Sequence, residues 1–287
     1  MKPSFEARLA DRYDNLSEAL RQAADFLVAN PVDLATRTLR TLSRDSGVSP
    51  AAYSRLSRAL DYADIEELRE EMRARIEQHV NGFADRAKQL QQDHGTSQTG
   101  FVDAHLTACQ SNLTAFGDTV DRVLLDQAVD RISVARKVLL LGALGSTGVV
   151  EYLSYMANLC ATNWNMASRM GASLGAGLTE LDDRDVLIVV TKPPFAERSI
   201  KAAQLAQERG VYVVVVSNTH ACPALRHASA GFVLPTDSPH FFSSYVTTMF
   251  FVEALIGMVV SRSGEIARNR IAEVEQTNKI LAEVWDN

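Results

Sequence analysis

DVLIVVTKPPFAERSIKAAQLAQERGVYVVVVSN, residues 185–218, is the stretch on which the fold class turns. Five apolar residues, Val186 to Val190, run without a polar interruption, as a strand covered on both faces does. A polar corner and an alanine-rich helical segment follow, and Gly210 closes it before a second continuous run, VYVVVV, at 211–216. Strand, helix, strand at this spacing reads as one unit of a parallel sheet. The corner itself is unusual. Pro193 and Pro194 stand where backbone N–H groups ordinarily hold an anion, and proline has no N–H to donate.

Outward from this unit, the same grammar covers the chain from Lys137 onward. KVLLLGA is a short apolar run closed by glycine, EYLSYMANLCA is helical, a helix is expected around 222–229, and GFVLPT reads as a last strand. The apolar segment SYVTTMFFVEALIGMVV, 244–260, is short for a membrane span and carries Glu253 and two threonines, so it reads as a buried core helix. EIARNRIAEVEQTNKILAEVWDN, 265–287, is a charged amphipathic helix with Ile271, Val274, Leu281, Val284 and Trp285 as its apolar stripe. It packs on its own domain or on a second subunit, and both remain open.

Ahead of Lys137 the signals are helical. Leu16, Leu20, Ala23, Ala24 and Leu27 recur at helical spacing up to Asn30-Pro31. Thr38 to Ser46 form a short helix broken by Gly47, and Ser49-Pro50 start the next with serine at the N-cap and proline at N1. DIEELREEMRARIEQHV follows as a fourth helix; QQDHGTSQTG, 91–100, has the composition of a linker; DRVLLDQAVDRISVA ends as a helix near Ala135. The expected organisation is an all-α helix-turn-helix domain at 1–90, a linker and connecting helix at 91–120, an α/β domain with a parallel sheet flanked by helices at 121–265, and a C-terminal helix at 266–287.

The 287 residues carry a net charge of −6, so nucleic-acid binding requires a local basic patch. Cys109, Cys160 and Cys222 lack CxxC spacing and read as reduced thiols, which with the charged, apolar-poor start MKPSFEARLADRYDN gives a cytosolic expectation. His220 and Cys222 form an isolated HxC without companions, so neither a metal nor a cofactor is expected.

Residues 39–60, LRTLSRDSGVSPAAYSRLSRAL, have helix-turn-helix spacing. Leu39, Leu42 and Ser43 face inward, Val48 plugs the corner, and Tyr53, Leu56 and Leu60 point to the core. The opposite face of the second helix is read as Ser49, Ala51, Ala52, Ser54, Arg55 and Arg58, small residues for close approach and arginines for phosphate or guanine, with Arg40 alongside. Residues 36–60 hold five arginines against Asp45 alone, a local charge of +4, while 61–71 hold six acids and one arginine. A protein-interaction module with a solvated arginine face is the competing interpretation.

SGVSPAAYSRLSRALDYADIEELREEM resembles the N-terminal domain of RpiR-type bacterial transcriptional regulators, with Asp61 where that family usually has glycine. The second half resembles the SIS (sugar isomerase) domain that follows it in those regulators, and the likeness runs from about residue 10 to about residue 265. It implies a dimer or tetramer that binds double-stranded operator DNA and a carbohydrate-derived effector. The family's first phosphate turn, GxGxS, falls on Gly142-Ala143-Leu144-Gly145-Ser146, with Leu144 in place of the second glycine. Its second, Ser-x-Ser-Gly-x-Thr, falls on Thr191-Lys192-Pro193-Pro194-Phe195-Ala196, where only the first hydroxyl survives. Three outcomes fit: an anion held by Lys192, Arg198 and Ser199; a less charged ligand against Phe195; or a lost site. Ser243 and Ser244 are expected to join the effector site from the start of the apolar helix. An isomerase is the rival from another class, and it would need Glu151 or Glu180 as general base.

Overall fold

The computed structural model describes residues 5–29, 33–34, 37–80, 83–93, 100–167 and 173–285. The chain divides into two compact units, Met1–Thr119 with Asp237–Ser244, and Val120–Thr236 with Tyr245–Asn287.

The first unit is helical: α1 Phe5–Arg12, α2 Glu18–Ala29, α3 Leu39–Ser46, α4 Pro50–Ala59, α5 Ile65–Val80, α6 Phe83–Asp93 and α7 Phe101–Thr119. The polar stretch that composition assigned to a linker begins inside α6, because Gln91, Gln92 and Asp93 continue its last turn; 94–99 lie outside the described residues. Thr38 caps α3 by accepting from Thr41 N, and Gly47 ends it at φ 72°. Ser49 caps α4 by accepting from Ala52 N, with Pro50 at its first position. Leu42, Tyr53, Leu56, Leu60 and Leu68 close one core with Phe5, Leu27 and Leu34. Ser46 ties the corner: its Oγ donates to Leu42 O at 2.6 Å and accepts from Val48 N at 3.1 Å and from the Tyr53 hydroxyl at 2.7 Å. Asp61 takes the left-handed φ of 59°, a conformation that aspartate tolerates better than most side chains. Arg12 pairs with its carboxylate and Arg8 donates to its carbonyl at 2.7 Å, which holds the turn without glycine.

The second unit is a parallel sheet: β1 Val138–Gly142, β2 Trp164–Met166, β3 Val186–Val190, β4 Tyr212–Ser217 and β5 Ala230–Val233, in the order β2-β1-β3-β4-β5. Its helices are α8 Arg122–Ser133, α9 Thr147–Cys160, α10 Leu174–Thr179, α11 Glu197–Glu208 and α12 Val246–Ile280. Leu139, Leu141, Leu187, Val189, Val213 and Val215 pack one sheet face against Ala202, Ala203 and Ala206 of α11. On the other face α12 packs against α9 and α8, and Phe251 meets Phe232 of β5 with ring centroids 4.9 Å apart. The segment expected as a helix around 222–229 is a 3-10 helix, Pro223–His227. The sequence reading missed β2, a three-residue edge strand, and the short α10.

The apolar segment read as 244–260 and the charged one after it form α12, broken by a non-helical Gly264 at φ 55°. It is long and apolar enough to cross a membrane by composition, and its Phe251, Val252, Leu255 and Val259 are buried within the unit. Beyond Gly264, Ile266, Ile280, Leu281, Val284 and Trp285 are exposed.

Candidate functional site

In an open parallel sheet, ligands bind outside the carboxyl ends of the strands where the chain connections diverge. Here the chain leaves β1 toward β2 on one side and returns to β3 on the other, so that point lies between β1 and β3. The corner after β1 supplies Ser146 and the corner after β3 supplies Thr191 and Lys192, all buried.

Gly142 ends β1 where a side chain has no room: a Cβ there would lie 2.5 Å from Ser146 O and 2.7 Å from Val150 Cγ2. Leu144, at the position of the family's second glycine, adopts φ 55° with its side chain mostly in solvent. The turn therefore holds a leucine in the left-handed region, at a cost of about 1–2 kcal/mol.

Tyr245 links the two corners. Its hydroxyl and Ser146 Oγ share a hydrogen bond of 3.1 Å, and Lys192 Nζ sits over its ring, 3.6 Å from the centroid. Burial lowers the Lys192 amine from its ordinary 10.5 to about 7. The ring face attracts the ammonium by about 0.5–2 kcal/mol, which offsets part of that desolvation. Burial also raises Tyr245, against the smaller opposing effect of the Ser146 hydrogen bond, so the phenol stays protonated.

Elsewhere in this unit, Ser199 Oγ on the first turn of α11, Ser217 Oγ at the end of β4, and Thr247 Oγ1 and Thr248 Oγ1 on the first turn of α12 are buried without a hydrogen-bond partner among the described residues. An unmet buried hydroxyl costs about 1–3 kcal/mol, so these groups have hydrogen-bonding capacity to offer an oxygen-rich ligand.

Three expectations change. Ser243 and Ser244 do not stand at the helix start, because α12 begins at Val246 behind Tyr245; both belong to the first unit, where Ser244 is buried with its Oγ 3.7 Å from Cys109 Sγ. Arg198 is exposed on α11, and Glu197 places a carboxylate in that helix's first turn, where the helix dipole would otherwise favour an external anion. Glu180 is removed from the edge altogether: it pairs with Lys137, the residue before β1, at the amino ends of the strands. That pairing lowers its carboxyl below the usual range. Phe195 packs on the core side of the sheet. The Pro193–Pro194 peptide is cis.

In the first unit, Arg40, Ser49, Ala51, Arg55 and Arg58 are exposed and Ser54 is half-buried, donating to Pro50 O at 3.4 Å. Ala52 is 1% exposed and so is not on that face. It stands four residues before Leu56 on the same helical stripe and packs into the core. Arg37 pairs with Asp33 and Asp45, and Arg44 with Asp45. Arg40, Arg55 and Arg58 have no ion-pair partner among the described residues, so the outward charge of this segment comes down to them. No group of three or more His, Cys, Asp or Glu side chains placed to hold a metal ion occurs among the described residues.

The family model of the SIS domain matches residues 131–258. A comparison with curated proteins finds no match. Among solved structures, the sugar isomerase domain of an RpiR transcription factor from Sphaerobacter thermophilus is 23% identical, with a TM-score of 0.56 over 60% of this chain and 96% of its own. The NanR protein of Vibrio vulnificus, solved with ManNAc-6P, is 20% identical, with a TM-score of 0.56 over 96% of this chain and 97% of its own. A Listeria monocytogenes protein assigned as a sugar-phosphate isomerase is 13% identical, with a TM-score of 0.51 over 60% of this chain and 93% of its own. At these identities the likeness is one of fold. Residues 131–258 are a SIS domain, a fold present in regulators and in isomerases alike.

Proposed function

We propose that this chain is a DNA-binding transcriptional regulator whose SIS domain senses a carbohydrate derivative, a sugar phosphate or a related sugar acid among them. The observation that carries the reading is one chain holding both halves of such a device. One unit presents Arg40, Arg55 and Arg58, without an ion-pair partner among the described residues, beside a serine-capped, proline-started helix after a glycine turn. The other carries a hydroxyl-rich strand edge of the SIS fold. The neighbour bound to ManNAc-6P, which is similar along nearly the whole chain, supports an effector of this class. The α4 face docks in the major groove, where arginines meet phosphate and guanine. Two copies bind two half-sites, since one helix reads too few base pairs for strong specificity. Effector binding favours one placement of the DNA-binding units over others and so alters operator affinity. The protein works in the cytoplasm without a cofactor. An isomerase has no use for the arginine face.

A thermal-shift screen of sugar phosphates, sugar acids and neutral sugars identifies the effector, because a ligand of the folded state raises the melting temperature by mass action. Fluorescence anisotropy on a selected operator then measures DNA affinity with and without it. Failure to select any duplex from a random pool, with turnover of an aldose phosphate into its ketose by the same preparation, would overturn this assignment in favour of the enzyme.

A further inference from the structure

The first unit carries an aromatic row at its surface. Phe83 on α6, Phe101 on α7 and Phe241 from the 237–244 segment are all exposed. Their rings run on from one another: Phe83 to Phe241 at 6.3 Å between centroids, Phe241 to His240 at 4.4 Å, and His240 to Phe101 at 6.0 Å. Val102 and Leu106, one turn apart on α7 and 75% and 53% exposed, extend the apolar surface from the Phe101 end. Single exposed apolar side chains are ordinary, whereas a contiguous patch marks a surface that something covers. The two ends of the row differ in charge. The Arg86 guanidinium sits over the Phe83 ring, 5.4 Å from its centroid. Asp103 stands at the other end, in the first turn of α7. Neither has an ion-pair partner among the described residues, and Arg86 Nε is buried without a hydrogen-bond partner among them. We propose that this face binds a second copy of the chain, row against row in opposite directions, so that Arg86 meets the partner's Asp103 at each end. The inference rests on the two-copy reading above and gives that reading a surface.

Charge selects this occupant. A row with a cation at one end and an anion at the other is complementary to itself when turned end for end, which is the relation a two-fold axis imposes on an isologous contact. The same row has nothing to offer a nucleic acid, because its one cation is matched by an anion. Size agrees. The five apolar side chains leave on the order of 400–500 Å² open, about half of the roughly 800 Å² that one partner gives to a stable complex. A central group of aromatic anchors with charges at its edge is the arrangement that carries most binding energy in such contacts. Burial also lowers the Arg86 guanidinium from its ordinary value, so part of its desolvation is already incurred in the single copy. An incoming carboxylate then adds attraction at a smaller further cost. The row lies in the same compact unit as α4, so the two-fold that pairs the rows also relates the two α4 helices, as two half-sites require.

The test is sedimentation equilibrium of the full chain over a range of about 1–100 μM, which brackets the dissociation constants of moderate complexes. Val102→Asp places a charge in the face at a position open to water in the single copy, so the fold is kept, as emission from the buried Trp164 checks. It is expected to raise the dissociation constant for self-association by about tenfold or more, and Leu106→Asp to do the same. Arg86→Glu and Asp103→Arg each set like charges against one another at both ends of the paired rows, and each is expected to weaken association by about tenfold. The double variant Arg86→Glu/Asp103→Arg restores opposite charges and is expected to return to within about threefold of the wild type. That rescue does not follow from a role within one copy, where the two residues form no ion pair. A double variant as weak as the single ones overturns the end-for-end pairing. Unchanged association in both Val102→Asp and Leu106→Asp overturns the face itself, while the two-copy reading stands on another surface. A wild type that is monomeric through the whole range overturns both.

Discussion

Replacing Lys192 with methionine tests the electrostatics of the site in the absence of any ligand. Methionine keeps the length and the apolar stem and removes the charge. In the unfolded chain the amine stays protonated up to about 10.5, whereas in the folded chain it releases its proton above about 7. Between those values the unfolded state binds more protons, so the wild type gains stability as pH rises through this window; below about 7 the penalty is complete. The difference of about 3.5 pH units corresponds to about 4–5 kcal/mol at about 1.4 kcal/mol per unit. Attraction to the Tyr245 ring and local relaxation reduce what the substitution recovers. Lys192→Met is therefore expected to be about 2–4 kcal/mol more stable than the wild type at pH 6–7, and the gap closes by up to about 1.4 kcal/mol per unit toward pH 10. Urea unfolding followed by tryptophan emission measures it in the right place. Both tryptophans, Trp164 and Trp285, belong to the second unit, and the first is buried while the second is 91% exposed. A gap that is absent at pH 6–7, or constant from pH 6 to 10, would refute the desolvated amine.

Other outcomes follow from single contacts. Arg55→Ala is expected to weaken operator binding by about 1–3 kcal/mol and to relax specificity at one base pair, read by anisotropy, with Arg58→Ala as its neighbouring control; unchanged affinity in both removes α4 from the interface. Ala52→Glu is expected to lower the stability of the first unit by several kcal/mol, since it buries a charge in the core; normal stability with lost DNA binding would return Ala52 to the DNA face. Gly142→Ala is expected to cost about 1–3 kcal/mol, because its Cβ meets the Ser146 carbonyl 2.5 Å away. Asp185→Ala is expected to cost about 3–5 kcal/mol by urea unfolding, since the buried carboxylate pairs with Arg136 and accepts from Lys137 N at 3.0 Å and Asp182 N at 2.8 Å. Sedimentation of the full chain at micromolar concentration is expected to show a dimer or tetramer, and a monomer there contradicts the two-half-site reading.

What the sequence made legible was whatever depends on neighbours along the chain. Thr38, Gly47, Ser49 and Pro50 act within a turn of where they stand, and the continuous valine runs of β3 and β4 need only a sheet with two covered faces. The errors occur where a position's meaning is set by something remote. Ala52 was placed outward because it is small and lies among outward residues, but its angular position four residues before Leu56 puts it in the core. β2 has three residues and no run to detect. Asp61 and Leu144 depart from the family's glycines yet keep positive φ, a property that no residue type announces. The site shows the limit most clearly. Ser243 and Ser244 attracted notice as hydroxyls before a helix, while Tyr245, beside them, looked like one more member of an apolar segment. Its part depends on packing that sets residue 245 against residues 146 and 192, so that one ring carries the amine on its face and the serine hydroxyl at its rim. Lys192 then follows from its surroundings: the same side chain in water would be a fixed cation, and burial lowers its pKa to about 7.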